Sequence, residues 1–294
     1  MNQKISEPSQ RLSYNRSDIE RFFGFKSKKF TMVNYVFTAC IGLIFSGIFY
    51  GILFLFYNKK WPMVDMFFPG GEQQRGCLAV ATVLLTCWSL AILLVKALKL
   101  KNQRQVFNLN ILPSDPNFVL SPRTAREILD RIDIYTDQPD YYVLLNRIKL
   151  ALSNLQNLGN VTGVSECLNN QAANDENYLS GSYTILKGFI WAIPVLGFIG
   201  TVEGLSKAVG GFGQTVAEGA DLEKLKNALG GVTGGLSTAF ETTLIALVLA
   251  LIVQLLAKFI QNSEELFLDE CASYCNVNIV AKMKNINLNS NENN

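Results

Sequence analysis

Histidine is absent from the 294-residue sequence, which removes both the commonest general base and the commonest metal ligand. Charge is scarce as well: 17% of residues are charged, where a soluble domain carries about a quarter. The net charge is only +2, and no basic stripe is interleaved with aromatics, so a nucleic-acid footprint is excluded. There is no GxxxxGK[ST] loop, no Ser/His/Asp set and no His-based metal site. Catalysis therefore has no candidate residues, the chain reads as a non-enzyme, and no cofactor is called for. Of the six cysteines, Cys40, Cys77 and Cys87 lie in apolar runs, while Cys167, Cys271 and Cys275 lie in segments expected to face the cytosol. That pattern argues for free thiols rather than a disulfide framework. Cys271 and Cys275 stand four residues apart, but two thiols without histidine make a poor zinc site and read as packing on a cytosolic helix. A cleavable leader is not expected either, because the first apolar run lies behind some thirty polar residues and is followed by no small-residue cleavage site.

What the sequence does have is long uncharged stretches. Residues 30–57 and 77–95 carry no charge, and each is long enough to cross a ~30 Å hydrocarbon core. The connection 58–76 holds Pro62, Pro69, Gly70 and Gly71 and reads as a turn-rich outer loop. Residues 96–182 are polar and mixed in charge, and read as a cytosolic helical insert. Within it, Ser121-Pro122 marks a helix start, followed by Ile128, Leu129, Ile132 and Ile134. A second helical stretch over 141–158 places Val143, Leu144, Ile148, Leu152 and Leu155 mostly on one face. Two more spans follow at 183–208 and 231–257, joined by a glycine-rich outer loop over 209–230. The remainder, 258–294, reads as a cytosolic helix with an asparagine-rich, disordered tail. The predicted fold is thus an all-α membrane protein with four transmembrane helices, a helical insert between the second and third, and a long helical C-terminal extension.

Orientation follows from the basic flanks. Arg21, Lys26, Lys28 and Lys29 precede the first span, and Lys96, Lys99, Lys101 and Arg104 follow the second. Lys187 opens the third and Lys258 closes the fourth. The positive-inside rule then places the cytosolic N-terminal segment 1–29, the insert and the C-terminus on the cytosolic side, against a weaker opposing signal from Lys224 and Lys226.

The last two spans are rich in small and polar residues. Span three contains Pro194, Gly197, Gly200, Thr201, Glu203 and Gly204; span four contains Gly231, Gly235, Glu241, Thr242 and Thr243. Gly200–Gly204 and Gly231–Gly235 are GxxxG pairs, whose plain reading is close helix packing, and Pro194 reads first as a kink in a bundled helix. Counting ~1.5 Å per residue from Lys187 and Lys258, Thr201 lies ~21 Å and Thr243 ~22 Å above the cytosolic boundary, with Glu203 and Glu241 at ~24 and ~26 Å. A carboxylate at such depth is costly unless it faces protein or water, so these residues form a candidate polar layer for ion passage. Glu203 also has a simpler reading, an i,i+4 pair with Lys207, and Thr242 and Thr243 can equally bond carbonyls one turn back.

The segment IPVLGFIGTVEGLSKAVGGF resembles the TolQ/ExbB signature P-x-L-G-L-L-G-T-V-x-G through Pro194, Leu196, Gly197, Gly200, Thr201, Val202 and Gly204. GGLSTAFETTLIALVLAL resembles the partner signature A-L-x-x-T-x-x-G-L through Ala239, Thr243 and Leu247. On these residues the chain is similar to the MotA/TolQ/ExbB proton channel family. Its four spans resemble MotA, and its signature spacing resembles ExbB and TolQ. The resemblance implies a stator subunit in the bacterial inner membrane, multi-pass with both termini cytosolic. It implies a homo-oligomer, a pentamer, around a single-span ExbD/TolR/MotB-like partner with a membrane aspartate, in contact with membrane lipid and carrying H+ or Na+. Proton motive force would drive uptake, protein transport, envelope energisation, motility or defence. Thr201 and Thr243 are the positions that carry over as facing the partner's carboxylate. Two other readings stay open: a secondary transporter binding its substrate through Glu203 and Glu241, which would call for an internal repeat, and a non-conducting membrane scaffold.

Overall fold

In the computed structural model the described residues are 12–57, 67, 78–109, 111–112, 118–158, 161–219 and 221–283. Cys77, Pro62, Pro69, Gly70, Gly71 and the asparagine-rich tail lie outside them. The described chain is helical, with two isolated bridges, Leu12 to Thr136 and Leu120 to Met283, and no strand. The helices are α1 (Tyr14–Ser17), α2 (Ile19–Phe22), α3 (Tyr35–Tyr57), α4 (Leu78–Arg104), α5 (Pro122–Tyr135), α6 (Val143–Leu158), α7 (Val161–Ser182), α8 (Thr184–Ala217) and α9 (Leu222–Asn278). Four of them are long and apolar enough to cross a membrane: α3, α4, and the long helices containing α8 and α9.

The chain divides into two compact units. One comprises Tyr35–Leu94 and Thr184–Phe259, the four apolar stretches. Within it α3 approaches α4 closely: a methyl built on Gly42 would lie 2.7 Å from the Trp88 Cα, and the Trp88 indole donates to the Thr38 hydroxyl at 3.3 Å. Trp88 also meets Phe189 of α8, ring centroids 4.8 Å apart. The other unit comprises Met1–Asn34, Val95–Tyr183 and Ile260–Asn294. Its helix α5 starts as expected, with Pro122 at the first position and a capping box in which Ser121 and Thr124 satisfy each other's backbone N–H. Its apolar core includes Ile128, Ile132, Leu144, Ile148, Leu152 and Val164.

Several boundaries differ from the sequence expectation. The first apolar helix begins at Tyr35 rather than at residue 30. Phe30 sits at φ 58, which no helix accommodates, and the N–H of Asn34 is held by the Glu20 carboxylate at 2.7 Å. α4 runs on to Arg104, past the predicted end at 95. The glycine-rich stretch expected as an outer loop over 209–230 is mostly helix: α8 continues to Ala217 and α9 begins at Leu222. Each helical glycine costs about 1 kcal/mol relative to alanine, which a long hydrogen-bonded helix absorbs. The chain reverses instead at Gly219, whose φ of +65 suits glycine. A third helix of the insert, α7, also escaped the periodicity reading. It is rich in Asn, Ser and Gly and buries only a narrow stripe including Val164, Leu168 and Leu179.

Candidate functional site: the α8–α9 helix pair

Glycines on α8 meet small residues on α9 in a regular antiparallel register. A methyl built on Gly197 would lie 2.6 Å from the Ala246 Cβ and 3.2 Å from the Thr243 Cα. On Gly200 it would lie 2.8 Å from the Thr242 hydroxyl, and on Gly204 3.2 Å from both the Ala239 Cβ and the Gly235 carbonyl. Gly235 in turn faces Ala208, 2.7 Å from its Cβ. Only hydrogen in place of a side chain permits this spacing, so the backbones themselves form the contact. Ile193, Ala246 and Ala250 close one end of the seam, with Leu85 and Leu249 packed on them.

Because Gly200 faces Thr242, the antiparallel register sets Thr201 and Thr243 about 3 Å apart along the helix axis. The Thr243 hydroxyl donates across the seam to the Gly197 carbonyl at 2.9 Å. Those of Thr201 and Thr242 donate along their own helices, to Phe198 at 2.7 Å and Ala239 at 2.9 Å. Each hydroxyl has its proton committed and its oxygen lone pairs left as acceptors. Such a layer can receive a hydrogen bond from a protonated carboxyl brought alongside. Glu203 accepts from Lys207 at 2.7 Å on an exposed face, the simpler of its two sequence readings. Glu241 accepts from Ser237 at 3.3 Å, one turn back. Pro194 lies inside α8, which continues through it as one helix. Gly231 faces open space within this chain, so of the second glycine pair only Gly235 belongs to the α8–α9 seam. Among the described residues no group of His, Cys, Asp and Glu could hold a metal ion.

Residues 137–271 match the model of the MotA/TolQ/ExbB proton channel family. The match takes in both signature segments and extends beyond them, from Asp137, ahead of α6, to Cys271 near the end of α9. Over those residues the chain is similar to that family, and with its four apolar helices it is a multi-pass membrane protein. No curated protein and no solved structure matches it.

Sequence reasoning missed three buried ion clusters in the second unit. Lys96 is fully buried, 3.2 Å from both Glu264 carboxylate oxygens, 2.9 Å from the Ser182 hydroxyl and 4.2 Å above the Tyr183 ring. The Tyr183 hydroxyl donates to Glu264 at 2.6 Å. Arg147 pairs with Asp175 at 2.7 Å and donates to the Leu268 carbonyl. Burial raises the Asp175 carboxyl above its ordinary value despite Arg147, and burial likewise pushes the neighbouring Cys275 thiol up to about 12. Lys99 joins Glu20 at 2.7 Å and Asp18 at 3.6 Å. Burial alone would raise Asp18, but the Lys99 charge, with hydrogen bonds from Ser27, Tyr14 and the Glu20 N–H, holds it below its ordinary value. Lys96 and Lys99 had served only as topology markers. The one signal available was that they stand three apart on a helix whose neighbours Val95 and Leu100 are apolar and buried.

Proposed function

We propose that this chain is an ion-channel stator subunit in which α8 and α9 form the wall of an ion path. Ion flow, of protons in this reading, does mechanical work on a single-span ExbD/TolR/MotB-like partner whose membrane aspartate loads and releases the ion at the level of Thr201 and Thr243. The subunits form a homo-oligomer, a pentamer, around that partner in the bacterial inner membrane, with both termini and the insert cytosolic. The observation that carries this reading is the seam itself: glycines bring two antiparallel backbones together, with three threonines within about 3 Å of one another along the axis, inside the segment that matches the channel family. A hydroxyl suits the role because its lone pairs accept from a protonated carboxyl, and its proton can turn from the backbone carbonyl it now serves to an ionised one.

The test is proton flux into proteoliposomes holding the subunit with its partner, read by a pH-sensitive dye. Thr243→Val keeps the shape and removes the hydroxyl. The complex should still assemble and flux should fall at least tenfold. If Glu241→Gln abolishes flux while Thr243→Val conducts normally, the path runs through Glu241 and the threonine layer is packing only.

A further inference from the structure

Outside the helix pair, the second unit holds a large open pocket of about 860 Å³. Lys28 and Lys29 contribute two adjacent positive charges, Tyr141 and Asn146 form one side, and Asn174 and Asn177 form another. No carboxylate lines it, and the two buried ones bonded to its wall, Asp18 to Ser27 and Asp175 to Gln171, are met by Lys99 and Arg147. Another cation stands close by, since the Arg21 guanidinium lies 4.7 Å from the centre of the Tyr141 ring. Phe30 and Met32 add an apolar edge to the same wall.

We propose that this pocket binds a phosphate-bearing ligand, a phosphate ester on a small polar body. The lysines meet the phosphate charge, the amides and tyrosine hydroxyls supply neutral hydrogen bonds to its oxygens and to a glycerol-like body, and the apolar edge takes the root of an acyl chain. Volume argues for an ester over a bare anion, because an open pocket of about 860 Å³ has room to seat a whole small molecule. The shared chemistry has two sources, the headgroup of an anionic phospholipid or a soluble phosphate ester.

Native mass spectrometry of the full-length complex, titrated with phosphatidylglycerol or phosphatidylcholine, separates these sources when set beside calorimetry with glycerol 3-phosphate. Two variants are used, Lys28→Gln with Lys29→Gln, and Asn174→Leu with Asn177→Leu, all four at exposed positions. Each lysine near an anionic group is worth a factor of about five, so the double lysine variant should bind about thirty-fold more weakly. Phosphatidylglycerol retained in preference to phosphatidylcholine, and weakened in both variants, identifies a headgroup site. Glycerol 3-phosphate binding that falls in both variants, without lipid preference, identifies a soluble ester. Three results overturn the proposal: neither ligand binds, binding survives in the lysine variant, or the asparagine variant binds as well as wild type, which would reduce the lysines to general surface attraction.

Discussion

Replacing Lys96 with methionine isolates the energetics of a buried ion pair. Both partners are out of water, with side-chain exposures of 0% for Lys96 and 2% for Glu264. Methionine fills much of the lysine's volume but leaves the Glu264 carboxylate with only the hydroxyls around it, chiefly that of Tyr183. Removing one partner of a buried pair costs about 3–5 kcal/mol, because the other charge stays desolvated. The lost contact of the ammonium with the Tyr183 ring, 4.2 Å away, adds up to ~2 kcal/mol. At roughly 2–4 °C per kcal/mol for a unit of this size, the unfolding midpoint should fall by about 10 °C or more. Thermal unfolding in detergent, followed by fluorescence-detected size exclusion, reads that shift. The decisive comparison is the double variant Lys96→Met/Glu264→Met. Replacing a whole buried pair by apolar groups is often neutral, so the double variant should recover most of the lost stability. If the double variant is as unstable as the two single losses added together, the pair is not coupled and the reasoning fails.

The remaining expectations concern the helix seam, pH and topology. Gly197→Ala drives a methyl to 2.6 Å from Ala246 and should cost about 1–3 kcal/mol and loosen the α8–α9 pair, whereas Gly231→Ala enters open space within the chain and should raise the monomer's stability by up to about 1 kcal/mol; thermal unfolding compares them. Because Asp18 is held below its ordinary value, its contribution to stability is complete above about pH 4 and is lost as pH falls toward its native value. Asp18→Asn should flatten that acid limb in a pH series of unfolding midpoints, and an unchanged slope would remove Asp18 from the account. Cysteines placed at Ser121 and at Gln214 in a cysteine-free background should differ toward an impermeant thiol reagent in whole cells. Labelling at Gln214 alone fits the charge bias, and labelling at Ser121 would invert it.

The membrane class was readable because lipid imposes a strict demand: some twenty residues without charge, which 30–57 and 77–95 met outright. The Ser121-Pro122 helix start was readable because capping is local chemistry. A helix converts residue count into height, which is why Thr201 and Thr243 were expected near one depth. What failed had physical causes too. Glycine is a turn signal in water, yet Gly210, Gly211 and Gly213 stand within the unbroken α8. α7 was hidden because its buried stripe is too narrow to set a strong period. The Lys96–Glu264 pair joins residues 168 positions apart, and no periodicity reports a partner at that range.

The α8–α9 seam also constrains how this sequence can drift. Residues 197 and 246, 204 and 239, and 208 and 235 meet as glycine against alanine in every case. Each couple shares room for one methyl group. A second methyl in any couple has nowhere to go, and the loss of the one present opens a gap between backbones. Substitutions here are therefore tolerated only as exchanges, one partner shrinking as the other grows. Among diverged copies of this gene these three couples should vary in concert, each trading glycine and alanine across the seam while their summed size stays fixed.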